Sequence, residues 1–368
     1  MSIIAGFIKK NTVLCIAFLA ALLTSFIIKP DSAYIGYFDF KTLTCLFCVL
    51  AVVCALRNVN FFYILAQKIV HKFKTTRACI IALVYITFIG SMLIANDMAL
   101  LTFLPLGYYV LSSTDKGNYM SFTFIMQNIA ANLGGMLTPF GNPQNLYLYT
   151  KFNIPTLEFM KIMAMPFIIS ITIITICCMF VENDPLKIEN ASLTADKPRT
   201  IIYLLLFAFS IAIVFRTIPY YFGFIVVPAL LVLDRKALRD VDYPLLFTFV
   251  FFFIFAGNMS RIEVVNNLFS ALLDKSTLIF SSLSCQVISN VPSAILLSKF
   301  TDNYKDLLVG VNIGGAGTLI ASLASLITFR EYVKHNHGKA GYYIVRFSAF
   351  NFGFLSILLV FMLLLKLF

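Results

Sequence analysis

Charge is what this chain has least of. Asp, Glu, Lys and Arg make up 12% of its 368 residues, about half the share of a soluble domain. Hydrophobic residues reach 60%, and mean hydropathy is +0.90. That balance excludes a water-soluble domain and places the chain in lipid. Histidine is nearly absent, with His71, His335 and His337 all expected in cytoplasmic loops. The cysteines (Cys15, Cys45, Cys48, Cys54, Cys79, Cys177, Cys178, Cys285) lie inside apolar runs, without CxxC pairing to His. They read as packing residues, and the sequence carries neither zinc spacing nor a catalytic triad. No enzyme is expected, and no cofactor beyond a coupling Na⁺ or H⁺.

Alternation of apolar and polar positions is missing too, which argues against a transmembrane β-barrel. The apolar runs are continuous and often near helical spanning length, so the expected fold is all-α and polytopic. The net charge of +11 sits in short loops between apolar runs, which fits a positive-inside bias and not nucleic-acid binding. No small-residue cleavage site follows the first run, so it is expected to stay as a helix and not leave as a signal peptide.

Full spans are expected near 12–28, 40–57, 118–151, 157–181, 200–215, 219–233, 243–257, 307–330 and 341–366. Runs 78–113 and 276–298 have polar breaks at Ala95-Asn96-Asp97 and Ser289-Asn290-Val291-Pro292. They read as re-entrant hairpins, which membranes tolerate where protein or a water-filled cavity surrounds the open backbone. Segments Asn60–Phe73 and Arg261–Leu273 place apolar residues at helical spacing just before each hairpin and read as interfacial helices. Arg57 to Arg77 carries five Lys or Arg and no acid, which puts that stretch, and with it Arg330, Lys334, Lys339 and Arg346, inside the cell. Glu158 and Lys161 read as snorkelling interfacial residues. Glu182–Arg199 is the one long hydrophilic stretch and reads as a linker.

Residues 131–145 laid over 311–325 pair Asn132 with Asn312, Gly134 with Gly314, Gly135 with Gly315 and Thr138 with Thr318, each 180 positions apart. Upstream, Ile94 pairs with Ile288 and Asn96 with Asn290. Both halves run in the same order, and one extra span at 200–215 lies between them, so the repeats are expected to be inverted. The expected units are 1–181, a linker and connecting helix over 182–218, and 219–368. Interrupted helices at matching positions are the sequence mark of a secondary transporter's binding site. Pro139 and Pro143 lack an amide hydrogen, and Gly134, Gly135 and Gly141 lower the cost of non-helical backbone. Carbonyls at the C-terminal end of a half-helix suit a cation, and amides at an N-terminal end suit an anion. Asp97 is the one acid expected near mid-membrane, where a bare charge costs at least ~3 kcal/mol. It is read as a Na⁺ ligand or proton carrier, with N-capping of the second hairpin arm as the structural alternative.

ANDMALLTFLPL (95–106), ANLGGMLTPFGNPQNL (131–146), SNVPSAILL (289–297) and NIGGAGTLIASLAS (312–325) together resemble the ion transporter superfamily. That group takes in divalent anion:sodium symporters, citrate transporters, arsenite permeases and some sodium/proton antiporters. The resemblance implies a block of hairpins and broken helices moving against a scaffold, with elevator-like alternating access. It implies substrate contacts at Asn96, Asn290, Pro292, Thr138 and Thr318. It implies cation ligands at Asn96, Asp97, Asn132, Gly134, Asn142, Asn290, Asn312, Gly314 and Gly317. The tips read Ala-Asn-Asp and Ser-Asn-Val where the divalent-anion branch has Ser-Asn-Thr, so the threonines that meet carboxylates in that branch are missing. The expected activity is Na⁺- or H⁺-coupled transport of a small anion or oxyanion across the cytoplasmic membrane by a multi-pass protein, possible as a homodimer. The alternative is a sodium/proton antiporter using Asp97.

Overall fold

The computed structural model describes residues 11–186 and 196–365, and among them the chain is helical with no strand. The first half holds α1 (Thr12–Ile27), α2 (Phe40–Asn58), α3 (Phe61–Val70), α4 (Thr76–Ile94), α5 (Asn96–Ser113), α6 (Met120–Gly134), α7 (Pro143–Lys151) and α8 (Thr156–Met179). After it come α9 (Lys197–Val214), α10 (Val226–Leu233), α11 (Arg235–Arg239), α12 (Tyr243–Ser260) and α13 (Glu263–Ile288). The chain continues through α14 (Asn290–Leu297), α15 (Tyr304–Ile313), α16 (Leu323–His335) and α17 (Ala340–Leu364). Among the described residues six helices, α2, α4, α8, α9, α12 and α17, are long and apolar enough to cross a membrane. The protein is an all-α polytopic membrane protein.

Several of the expected spans are divided, 118–151 and 307–330 among them as interrupted helices. The run 118–151 is α6 and α7 with an open stretch between Gly134 and Pro143, and 307–330 falls across α15 and α16 with a similar gap. Both gaps fall where glycines cluster, and the first also holds Pro139 and Pro143. The run 219–233 is a 3₁₀ turn, Tyr220–Ile225, followed by the short α10. Helix α1, at 16 residues, is about 24 Å long and falls short of the hydrocarbon thickness.

The two hairpins differ in build. Arms α4 and α5 have 19 and 18 residues, or about 28 Å each, which is longer than a half-depth arm needs. The second hairpin is more compact. Ser276 leaves helical geometry at φ −167° and ψ 97° inside α13, and its Oγ accepts from the Ile279 amide at 3.3 Å, as an N-cap would. The hairpin therefore starts at 276, as the sequence indicates, and the first part of α13 is the amphipathic segment before it. In α3, Leu65 is exposed while Phe62, Ala66 and Val70 are buried, so one apolar edge meets the bundle and another is left for lipid.

Water supplies no drive for helix association inside a bilayer, so close packing and polar ties hold the bundle together. Helix α6 lies at the centre, with every residue buried. A Cβ on Gly134 would come within 2.2 Å of the Phe88 carbonyl oxygen, so α4 and α6 approach as only glycine allows. Asn258, fully buried in α12, donates to Thr24 Oγ1 and Ser25 Oγ of α1, both at 3.3 Å. Arg216, just after α9, grips the far end of α7. It donates to the carbonyls of Ile154 at 3.2 Å and Tyr149 at 2.5 Å, and its guanidinium lies 4.0 Å from the Tyr149 ring centre.

Two side chains leave their expected roles. His335 lies in the last turn of α16 and not in a loop; it stacks on Tyr108 at 3.6 Å and pairs with Glu331 at 3.0 Å. Glu158 is a tie and not a snorkelling residue, because it accepts from the Tyr304 hydroxyl at 2.7 Å and meets Lys305 at 3.3 Å. Lys161 is exposed on α8. Part of the expected linker, 187–195, lies outside the described residues.

Candidate functional site

The two hairpin tips share one unusual backbone. Ala95 sits at φ 66° and ψ 150°, and Ser289 at φ 74° and ψ 160°. These dihedrals belong to a region that residues other than glycine enter at a cost of about 1–3 kcal/mol. Surrounding hydrogen bonds hold both in place, and they match pair by pair. The Asn96 amide donates to the Gly141 carbonyl at 3.1 Å, and the Asn290 amide to the Ala321 carbonyl at 2.9 Å. Asn96 Oδ1 accepts from the Asp97 amide at 2.9 Å, and Asn290 Oδ1 from the Val291 amide at 2.9 Å. The Thr138 hydroxyl donates to the Met92 carbonyl at 2.7 Å, and the Thr318 hydroxyl to the Gln286 carbonyl at 3.0 Å. Each tip is thus laced to the open stretch of its own broken helix. The pairings are those that the sequence offset predicts.

Asp97 is not a cap. Ala95 holds the N-cap position of α5 and no side chain caps that end, while the second tip reaches the same backbone with Val291 in place of the acid. Asp97 Oδ1 is buried and has no hydrogen-bond partner. A buried carboxylate oxygen left unpaired is costly, and a proton or a cation would satisfy it.

Between the tips lies a cavity of about 580 Å³, within the usual size of small-molecule sites. Asn96 and Asp97 line it from one tip, and Ser289, Asn290, Val291 and Pro292 from the other. Pro143 and Gln144 at the start of α7 contribute, as do Arg57, Arg239 and Arg330 together with Asp240 and Asp242. Pro292 is part of the cavity wall. Thr138 and Thr318 do not line it; their hydroxyls instead brace the hairpins.

Behind the cavity the two halves meet in a knot of carboxamides. Asn96 Nδ2 donates to Asn132 Oδ1 at 3.1 Å. Asn142 Nδ2 donates to the Asn132 carbonyl and to Asn312 Oδ1, both at 3.1 Å. Gln144 Nε2 reaches the same Asn312 oxygen at 3.4 Å, and Asn312 Nδ2 donates to Asn145 Oδ1 at 2.6 Å. Asn145 Nδ2 in turn lies 3.2–3.3 Å from the carbonyls of Gly135, Met136 and Thr138, pinning the opened backbone. Asn142 Oδ1 and Gln144 Oε1 remain buried without a donor, so neutral acceptors suited to a small cation lie beside Asp97's tip. Asn142 occupies the N-cap of α7 without capping it, because its side chain is turned into the knot.

The expected ligand set divides accordingly. Asn96, Asp97 and Asn290 reach the cavity, and Asn132, Asn142 and Asn312 form the knot. Gly134 and Gly314 are packing positions, where an added Cβ would strike Phe88 or Gly310 carbonyl oxygens. Gly317, at φ 128°, lies against Gln286, whose Oε1 accepts from the Thr318 amide at 2.8 Å and whose Nε2 donates to the Gly314 and Ala316 carbonyls. Gln144, Asn145, Gln286 and Arg57 were not singled out by sequence reasoning. Gln144 and Asn145 stand inside the repeated motif, and that position was a usable signal.

A family model described as citrate transporter matches residues 3–304. An uncharacterized transporter of Methanocaldococcus jannaschii is 35% identical over 297 residues, covering 79% of this chain and 81% of its own. Inner membrane protein YbiR of Escherichia coli is 28% identical over 281 residues, 74% of each chain.

Proposed function

We propose that this chain, which belongs to the citrate transporter family, carries a small anion or oxyanion across the cytoplasmic membrane in step with Na⁺ or H⁺. It is a transporter and not an enzyme. The observation that carries the anion reading is the pair of matched hairpin tips facing one cavity. The positive dipole ends of α5 and α14 at the cavity favour an anion between the tips, while Asp97 and the unpaired carboxamide oxygens suit a cation behind it. Two opposite charges brought together favour each other's binding, which is the basis of coupling.

In this reading the halves are inverted repeats, and the hairpins with their broken helices move as a block past α1, α2, α9 and α12. Arg57, Arg239 and Arg330 at the cavity fit a mouth open to the cytoplasm under the positive-inside bias. The test is uptake by proteoliposomes of the purified chain, with citrate, phosphate, sulfate and arsenite offered under an imposed Na⁺ or pH gradient. Gradient-dependent uptake of at least one of them supports the proposal. Na⁺/H⁺ exchange without any anion would replace it with the antiporter reading, which the unpaired Asp97 oxygen favours.

A further inference from the structure

A positive charge that touches the first hairpin comes from neither hairpin nor broken helix. Arg57 is the last basic residue of α2, half-buried, and lines the cavity together with both tips. A cation at a helix C-terminus is ordinarily explained by the helix dipole. That account covers the charge but not the direction in which this side chain points. Asp234 is within reach of this end of α2, yet it accepts from Asn58 Nδ2 at 3.1 Å. Arg57 turns instead to the hairpin, where its Nη1 donates to the Met98 sulfur at 3.6 Å.

A thioether is a weak acceptor, and a guanidinium has five donors in a rigid fork suited to a carboxylate or phosphate-like anion. A half-buried guanidinium facing a ligand-sized cavity, with a sulfur as its side-chain partner among the described residues, is a group set up to receive an anion. Met98 lies two residues beyond Asn96 on the same tip, so an anion held between the tips is within Arg57's neighbourhood.

We infer that Arg57 is a specificity-determining residue of the cavity, reading formal negative charge on the substrate from the α2 side. This rests on the anion-carrier reading above and adds to it that charged anions are selected over neutral oxyacids. The tips offer dipoles, which a neutral hydroxylated solute can also use. The guanidinium discriminates, because only a charged ligand compensates its removal from water.

The test measures binding by the purified full chain to citrate, sulfate, inorganic phosphate and arsenious acid, the last neutral at pH 7. Wild type is compared with Arg57→Met and Arg57→Lys. Replacing a charge-assisted contact weakens affinity by about tenfold or more, so Arg57→Met should lose that much for whichever charged probe wild type binds. Arg57→Lys should retain part of it, and binding of arsenious acid should be unchanged in both. Charged-probe affinity of Arg57→Met within about twofold of wild type overturns the assignment while leaving the carrier reading intact. Wild type binding arsenious acid alone overturns it as well. Binding of none of the four probes removes the anion reading itself, and the assignment with it.

A measurement on wild type guards against a variant that does not fold. Citrate, sulfate or phosphate, whichever binds, should slow modification of Arg57 by phenylglyoxal, followed by mass spectrometry of the peptide. An unchanged rate at Arg57 with the site saturated refutes the assignment.

Discussion

Asn132 and Asn312 occupy equivalent positions, yet the structure predicts unequal consequences for their removal. Asn312 accepts from Asn142 and Gln144 and donates to Asn145, with a further local bond to the Leu308 carbonyl at 2.8 Å. Asn132's side chain holds one such bond, from Asn96. Hydrogen bonds between side chains of membrane helices average ~0.6 kcal/mol and reach ~1.7 kcal/mol. Losing three of them in Asn312→Ala should cost about 2–5 kcal/mol, and losing one in Asn132→Ala about 0.6–1.7 kcal/mol. The assay is equilibrium unfolding of the purified variants in mixed micelles with rising SDS, followed by far-UV circular dichroism. Asn312→Ala should unfold with about 1–3 kcal/mol less stability than Asn132→Ala. Equal losses, or a greater loss in Asn132→Ala, would refute the view that Asn312 is the hub joining the halves.

Asp97→Val copies the residue at the second tip, so the melting temperature should stay close to wild type while ion-gradient-driven uptake collapses; a large loss of thermal stability would restore a structural role for the carboxylate. Gly134→Ala places a methyl group against the Phe88 carbonyl and should destabilise by about 1–3 kcal/mol. Gly341→Ala, with nothing within 4 Å of its added Cβ, should remain near wild type, and similar unfolding midpoints for the two would contradict the packing account. At the end of α12, Arg261 donates to both oxygens of Asp31 at 3.1 and 2.7 Å and holds that carboxyl below its ordinary pKa. The contribution of this tie is present above the ordinary carboxylate pKa and fades as pH falls through the lowered one. Arg261→Gln should bring Asp31 back up, read by carboxyl NMR titration, and an unmoved pKa would show that the local amides alone depress it.

The sequence was most informative where chain chemistry acts locally. Glycine marks both broken helices and proline the first, Ser276 begins the second hairpin where the polar pattern changes, and the residues paired between the halves return as matched hydrogen bonds at the tips. What it left hidden depends on contacts across the fold. Nothing in the spacing of Asn312 announces Asn142, Gln144 and Asn145 as its partners, since α7 and α15 meet only after both halves assemble. Arg57 looks like one more positive-inside residue until its direction is known. For Gly134 and Gly314 the packing reading fits the close contacts that the structure gives them. Asp97 as an N-cap failed because the tip's dihedrals put Ala95 in the capping position.

The seam between the halves is made of asparagine and glutamine, and carboxamides neither gain nor lose a proton across the pH range in which proteins survive. Acid or alkali therefore cannot loosen that seam by altering its own charge. A pH profile of this chain becomes a spatial probe. Any response between mild acid and mild base arises outside that seam, and the centre of the molecule serves as a silent background against which each responding group can be assigned by substitution.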